Sequence, residues 1–327
     1  MDAAESPALR DSLLNRRERL VETISEVGAG DDLVRLLREV DAALKRFDTQ
    51  TFGRCEACHQ EVDDHLLHAH PLIEYCLCRL TPEQQDALQQ DLDLATRLQF
   101  ALLPAQDLRF DGWTTHFRYL PAGPVSGDYI DLVASDRGGG MYFFVGDVSG
   151  KGVSGAFVMA RLGALLRGQI DFALPLPDLV GRANRLLAEN NLPSQYATLI
   201  CGHATPDGEM EICNAGHHPA LVVRGGEVEP IDATGYPVGL FNQNPYRVTS
   251  LHLEANDALV LFTDGLIEAR DPSGREYGLE RFAAFLRKNH AAPPRALVAA
   301  CLADIDAHRS GVPLHDDLSL LVLRRSP

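Results

Sequence analysis

VSGDYIDLVASDRGGGMYFFVGDVSGKGVSG, residues 125–155, contains two acidic turns. Asp128 sits in SGDY, and Asp147 ends the apolar run MYFFV and opens GDVSGKG. A strand that is apolar on both faces and stops at Gly-Asp places a carboxylate at the rim of a core. The same arrangement recurs twice near the C-terminus. Asp264 follows ALVLF in FTDG, and Asp316 and Asp317 precede LSLLVL. Four strand-end aspartates can converge on one rim, and hard divalent cations prefer such oxygen ligands.

Around this stretch the apolar periodicity predicts strands at 113–119, 128–134, 140–147, 196–204, 209–214, 219–224, 249–253, 257–263 and 318–324. Helices are expected at 154–170, 176–191, 278–289 and 294–308. Strands and helix pairs fall in separate blocks, which implies an α+β layered fold rather than repeated βαβ units. PDG at 206–208 and GG at 225–226 supply turns.

The chain has 327 residues, 45% hydrophobic and 23% charged, as in ordinary globular proteins. No apolar run approaches the ~20 residues of a bilayer span. The start, MDAAESPALRDSLLNRRERL, lacks the apolar core of a signal peptide, so the expected location is cytoplasmic. The net charge of −16, from 46 acidic and 30 basic side chains, argues against broad nucleic-acid binding. The seven cysteines are an odd number in a cytosolic-type chain, which disfavours a disulfide framework.

The N-terminal third reads as its own module. Leu9, Leu13, Leu14, Leu20 and Ile24 form one stripe over residues 5–26, and Leu33, Leu36, Leu37, Val40 and Leu44 form another over 32–47. GAGDD lies between them, so a helical hairpin over 1–50 is expected, with Asp31 or Asp32 capping its second arm. In residues 51–80, Cys55-x-x-Cys58 is followed after seventeen residues by Cys76-x-Cys78. Four thiolates at such spacing can close a tetrahedral Zn²⁺ site. The run ALKRFDTQTFGRCEAC resembles the DksA/TraR-type zinc finger, which also follows a helical hairpin. That family ends in a second C-x-x-C, whereas here Arg79 takes the fourth position and Cys78 falls one residue early. His59, His65, His68 and His70 are alternative fourth ligands. Residues 81–104 begin with Thr81 as cap and Pro82 at the first helical position. The stripe Leu88, Leu92, Ala95, Leu98 and Leu102 then predicts a linker helix able to dimerise and to relay a signal into the domain at 105–327.

Two nucleotide- or thiol-based chemistries fail on spacing. A P-loop needs four residues between its first Gly and Gly-Lys, but Gly146 and Gly150 enclose three. No cysteine has an Arg six residues on, as a cysteine phosphatase loop would require. The four-carboxylate arrangement remains. Two divalent ions about 3.5–4 Å apart, held by carboxylates, generate a nucleophilic water and neutralise phosphoryl charge.

SGDYIDL, VGDVSGKGVSGAFVMA, YATLICGHATPDGEMEICNAGHHPALVV, GYPVGL, FTDGLIEARDPSGREYGLERF and HDDLSLLVL occur in that order. Together they resemble the SpoIIE/RsbU branch of the metal-dependent protein phosphatase (PPM) superfamily, over residues 92–325. The resemblance implies an αββα sandwich with two Mn²⁺ or Mg²⁺ ions between its sheets. It implies Asp147 as bridging ligand beside the Val148 carbonyl, Asp128 sharing one ion with Asp147, and Asp264 and Asp316 completing the other. Asp317 stands where the superfamily has an Asn or Asp behind the ligands. The resemblance further implies serine/threonine phosphatase activity, with phosphorylated STAS-domain anti-sigma-factor antagonists as substrates. No counterpart of the phosphate-binding Arg of eukaryotic relatives is evident.

Other residues have plainer readings. His217 and His218 are candidate acids, but NAGHHP more readily shapes a strand turn. Lys151 is either a phosphate contact or an exposed turn. Asp131 and Asp136 read as surface loop charges, Glu268 as structural, and Cys201 and Cys213 as core thiols. Two other functional classes stay open: a non-catalytic zinc-finger adaptor that binds RNA polymerase or another regulator, and a redox sensor that loses zinc on thiol oxidation.

Overall fold

A computed structural model describes residues 7–27, 31–62, 67, 71–76, 78, 80–134, 139–150, 152–172, 174–189, 195–241 and 244–327. The chain divides into two compact units, Met1–Asp91 and Leu92–Pro327. No described helix is long and apolar enough to cross a membrane.

In the first unit, α1 (Pro7–Val27) and α2 (Asp31–Asp48) are antiparallel. The pairs Arg17–Asp41 at 2.6 Å and Arg10–Asp48 at 3.3 Å run in opposite directions along the two helices. Leu9, Leu13, Leu20, Val40 and Ala43 fill the seam, and the same cluster extends to Phe52, Cys55 and Val62. Arg46 ties the hairpin to the cysteine segment. Its guanidinium is buried and donates to the Ile73 carbonyl at 2.8 Å and the Leu72 carbonyl at 3.2 Å. The helix α3 (Pro82–Leu102) starts in this unit and ends in the next. Thr81 and Gln84 cap it reciprocally, side chain to backbone N–H.

The second unit holds two antiparallel sheets. One has six strands in the order β1 (Asp107–Phe110), β2 (Trp113–Leu120), β11 (Leu318–Arg325), β10 (Ala258–Phe262), β7 (Ala220–Arg224), β8 (Glu227–Ile231). The other has five, in the order β3 (Tyr129–Ala134), β4 (Met141–Val148), β5 (Ala197–Ala204), β6 (Glu209–Ala215), β9 (Thr249–His252). The strand pleat assigns every second side chain to one face. Along β4, Met141, Phe143 and Val145 pack between the sheets with Ile130, Ile200, Leu259, Leu261 and Leu321. Their neighbours Tyr142, Phe144 and Val148 pack outward beneath α4 (Gly152–Arg167) and α5 (Leu176–Ala188). On the far side, Val260, Phe262 and Val322 pack beneath α7 (Leu279–Asn289) and α8 (Pro294–Arg309). The result is the expected αββα four-layer sandwich. Strands buried on both faces explain why MYFFV, ALVLF and LSLLVL are continuous apolar runs.

Asp131 is not a surface loop charge. It lies within β3, is 3% exposed, and faces the helical layer. Its carboxylate accepts from Tyr129 Oη at 3.2 Å and pairs with Arg167 Nε at 3.0 Å, at the end of α4. Burial raises its pKa, and the Arg167 charge opposes that rise. Asp136 lies outside the described residues.

Gly202 is a point of close packing in the five-stranded sheet. It pairs with Phe143 across β4 and β5, and the Phe143 ring occupies the space where a Cβ would stand. Gly202→Ala must displace that ring from a close-packed core, so it is expected to destabilise the chain by roughly 1–3 kcal/mol. Urea unfolding followed by Trp113 fluorescence checks this, and an unchanged midpoint contradicts the packing described.

Candidate two-metal site and cysteine cluster

The pleat that builds the core also builds the site. On β3, Ile130 and Leu132 face between the sheets, so Asp128 does too. The same phase sends Asp147 of β4 and Thr198 of β5 inward. In the six-stranded sheet, Leu259 and Leu261 set the phase of Thr263, and Leu321 and Leu323 that of Ser319. Because these strands alternate in direction, the β4 and β10 ends meet the β3, β5 and β11 starts at one rim. The β3–β4 register, extended by one residue beyond Tyr129↔Gly146, sets Asp128 opposite Asp147. Gly127 packs so closely here that a Cβ would come within 3.0 Å of the Val148 carbonyl oxygen and 3.5 Å of Asp147 Oδ1.

Asp128 is buried, at 1% exposure, and joins the two sheets. Its Oδ2 accepts from Thr263 Oγ1 at 2.8 Å and Ser319 Oγ at 2.6 Å. Its Oδ1 is buried with no hydrogen-bond partner. Burial, reinforced by the Asp147 charge, pushes the Asp128 carboxyl well above the usual carboxylate range. A divalent cation beside that orphaned oxygen would satisfy it and reverse the shift.

Asp264 opens a single helical turn, α6 (Asp264–Ile267), directly after β10. The turn packs on the Asp316–Asp317 backbone so tightly that a Cβ at Gly265 would strike the Asp317 carbonyl. Asp316 is half-buried, and its Oδ1 accepts from the Asp317 N–H at 3.0 Å. Asp317 is differently employed. Its Oδ1 accepts from Ala122 N at 2.7 Å and its Oδ2 from Gly127 N at 3.0 Å, so both oxygens hold the chain that leads into Asp128. That geometry suits a tie behind the ligands.

Asp147 and Asp264 line a cleft of about 150 Å³ with Thr198, Gly216, His217 and His218. His217 is a brace. Its Nε2 lies 2.9 Å from the Phe262 carbonyl and its Nδ1 2.7 Å from Thr198 Oγ1. A carbonyl accepts only, so Nε2 carries the proton and Nδ1 accepts from Thr198. Burial, with the neighbouring His218, lowers its pKa to about 4. It is therefore neutral at neutral pH and links β5 to β10. Glu268 is exposed as a residue, and partial desolvation of its carboxyl, with the Asp264 charge, raises its pKa. Cys201 and Cys213 are buried as a cross-strand pair.

Thr263, Ser319 and Thr198 are site residues that strand patterning did not single out. The signal was present in the phase: each is a hydroxyl at an inward position of an otherwise non-polar strand face. Lys151 lies outside the described residues.

In the first unit, the Sγ atoms of Cys55, Cys58, Cys76 and Cys78 all lie within 4.8 Å of one another. Among the described residues this is the one group of three or more His, Cys, Asp or Glu ligand atoms that close to that distance. The Cys55–Cys78 and Cys58–Cys76 sulfur pairs are each 3.5 Å apart. The Cys76 amide donates to Cys55 Sγ at 3.3 Å, which lowers the Cys55 pKa to about 6. The Cys76 and Cys58 thiols push Cys78 upward. Four thiols this close cannot all ionise without a cation between them. His59 sits at positive φ in the turn after Cys58, while His65, His68, His70 and Arg79 lie outside the described residues.

Comparison with known proteins agrees with both halves. IcfG of Synechocystis is 24% identical over 279 residues, covering 76% of this chain and 43% of that protein. The chain thus spans under half of that relative. The phosphoserine phosphatase RsbU of Bacillus subtilis is 24% identical over 246 residues, covering 74% and 72%. The SiaA-PP2C domain of Pseudomonas aeruginosa superposes with a TM-score of 0.65 at 21% identity, covering 75% of this chain and 99% of that domain, so the fold is shared. A separate match, 34% identical over 50 residues, joins 15% of the chain to 34% of the RNA polymerase-binding transcription factor DksA of Haemophilus influenzae. The family model for stage II sporulation protein E (SpoIIE) matches residues 137–326, over half of the chain, and the chain belongs to that family.

Proposed function

We propose that the chain is a metal-dependent protein serine/threonine phosphatase. The observation that carries this reading is the buried, partnerless Oδ1 of Asp128 at a rim shared with Asp147, Asp264 and Asp316. Asp128, Asp147, the Val148 carbonyl, Asp264 and Asp316 would hold two Mn²⁺ or Mg²⁺ ions, with Asp317 behind them. Such a pair supplies an activated water and neutralises charge on the phosphoryl oxygens. The chain's own groups fix that arrangement. Thr263 and Ser319 orient Asp128, His217 and Thr198 hold the β5 and β10 ends apart at constant spacing, and the open cleft admits a phosphorylated side chain. His217 is too weakly basic to act as an acid near neutral pH.

The substrate we favour is a phosphorylated STAS-domain anti-sigma-factor antagonist in a partner-switching pathway, on the likeness to RsbU. The four clustered thiols suit one structural Zn²⁺, and free thiols suit the reducing cytoplasm. Leu88, Leu94, Leu98 and Leu102 are exposed along α3, which supports a homodimer through residues 81–104 and regulation of the phosphatase by the N-terminal module. The acidic balance of the chain speaks against direct nucleic-acid binding.

Three measurements test these readings. Phosphate release from a phosphoserine protein should require Mn²⁺ and fall at least about 100-fold in Asp147→Asn, given the several kcal/mol such ions contribute. Equal turnover by both proteins, or none by the wild type and by residues 92–327 alone, leaves the adaptor reading. Elemental analysis should find about one zinc per chain, lost in Cys55→Ala together with thermal stability of the N-terminal unit. Zinc-free wild type rules the site out, and release by mild peroxide with a matching activity change assigns it a sensing role. Leu98→Glu should convert a dimer to monomer in sedimentation. A monomeric wild type removes the helix from consideration as an interface.

A further inference from the structure

Gln99 is the buried residue of α3, in a helix whose Leu94, Leu98 and Leu102 are exposed. Its whole amide is directed at one residue. Nε2 donates to the Ser126 carbonyl at 2.7 Å, and Oε1 accepts from the Ser126 N–H at 2.9 Å. Nearly one turn earlier, Thr96 Oγ1 shares its proton between the Pro124 carbonyl at 2.6 Å and the Leu92 carbonyl of its own helix at 2.8 Å. Ser126 in turn passes the constraint on, because its Oγ accepts from the Asp128 N–H at 3.0 Å. The segment between β2 and β3 belongs to no strand or helix, so its polar backbone groups need partners from outside. Asp317 supplies them from one side, through Ala122 and Gly127, and α3 supplies them from the other.

We propose that Gln99 is a positioning residue for divalent-cation binding: it fixes the peptide of Ser126, and through it the carboxylate of Asp128. The inference rests on the metal-dependent reading above. A side-chain amide bonded to both the N–H and the C=O of one residue fixes its translation and its rotation together, which a single bond does not. Asp128 has no freedom to compensate. Its Oδ2 is already held by Thr263 and Ser319, so a shift of the Ser126 peptide is passed on to the position of Oδ1. Gln99 touches neither substrate nor metal and acts only through this chain of bonds.

The experiment measures Mn²⁺ binding by electron paramagnetic resonance on the full chain, beside a thermal melt and turnover against Mn²⁺ concentration. Gln99→Met keeps the shape and loses both hydrogen bonds. The expected result is Mn²⁺ affinity weakened about tenfold, as the loss of one or two such bonds implies. Half-maximal turnover should need correspondingly more Mn²⁺, while turnover at saturating Mn²⁺ returns towards wild type. Thr96→Val should move affinity the same way by less. A helix anchor without a positioning role would lower the melting temperature and leave Mn²⁺ affinity unchanged, and that result overturns the proposal while the phosphatase reading stands. Should Gln99→Met not fold, Thr96→Val decides, and wild-type affinity in it counts against the proposal. Wild type that binds no Mn²⁺, or Asp147→Asn that binds it equally well, overturns both readings.

Discussion

The carboxylate of Asp128 belongs to one sheet, and the two hydroxyls that hold it, Thr263 and Ser319, belong to the other. This contact makes the sandwich a site as well as a core. Apolar packing between sheets is strong but non-directional, so it resists separation more than it resists sliding. Two short hydrogen bonds at 2.6 and 2.8 Å fix the slide at the rim where the aspartates emerge. The Thr263 hydroxyl also accepts from the Ser319 N–H at 2.9 Å, so the clasp is rigid on its own side. His217 makes a second bridge a short distance away, from Thr198 to the Phe262 carbonyl.

These fixing groups are neutral. Hydroxyls, a side-chain amide and an uncharged imidazole set the spacing of the strand ends, and the charges are left to the aspartates. The division has a physical reason. Converging carboxylates repel one another and resist burial, which is why Asp128 is driven towards its protonated form. A frame built of cations would relieve that repulsion and so remove the demand for a metal. A neutral frame holds the acids together without adding positive charge of its own, and Asp128 Oδ1 is left buried with no hydrogen-bond partner.

Much of this was legible in the sequence because strands buried on both faces write themselves as unbroken apolar runs. MYFFV, ALVLF and LSLLVL gave the strands, and their ends gave Asp147, Asp264 and Asp316. The two strands the pattern omitted, β1 and β8, are the outer edges of the six-stranded sheet. Edge strands bury less: β1 alternates exposed and half-buried positions, and β8 carries Pro230, which an edge tolerates. Asp131 was misjudged because a charge beside a Gly-rich loop resembles a loop residue, and its partner Arg167 lies 36 residues away on a helix. Gln99 was hidden differently. It interrupts the leucine stripe of α3, where a polar residue reads as a break in the pattern rather than its most buried point.

The two donor sets of the chain also differ in what their shapes permit. The cysteine set is compact, with four soft sulfurs within 4.8 Å and Cys55 sealed in the hairpin core. Four thiolates around one zinc ion would fill its coordination and leave no position for a reactant, so such a cluster would stabilise a fold. The carboxylates are spread along a rim, on hard oxygen atoms, and two of them line an open cleft. Divalent ions held there would keep coordination positions open, and the chemistry they would supply is an activated water and neutralised phosphoryl charge. The same chain thus carries one compact set of soft donors and one spread set of hard donors at an open cleft.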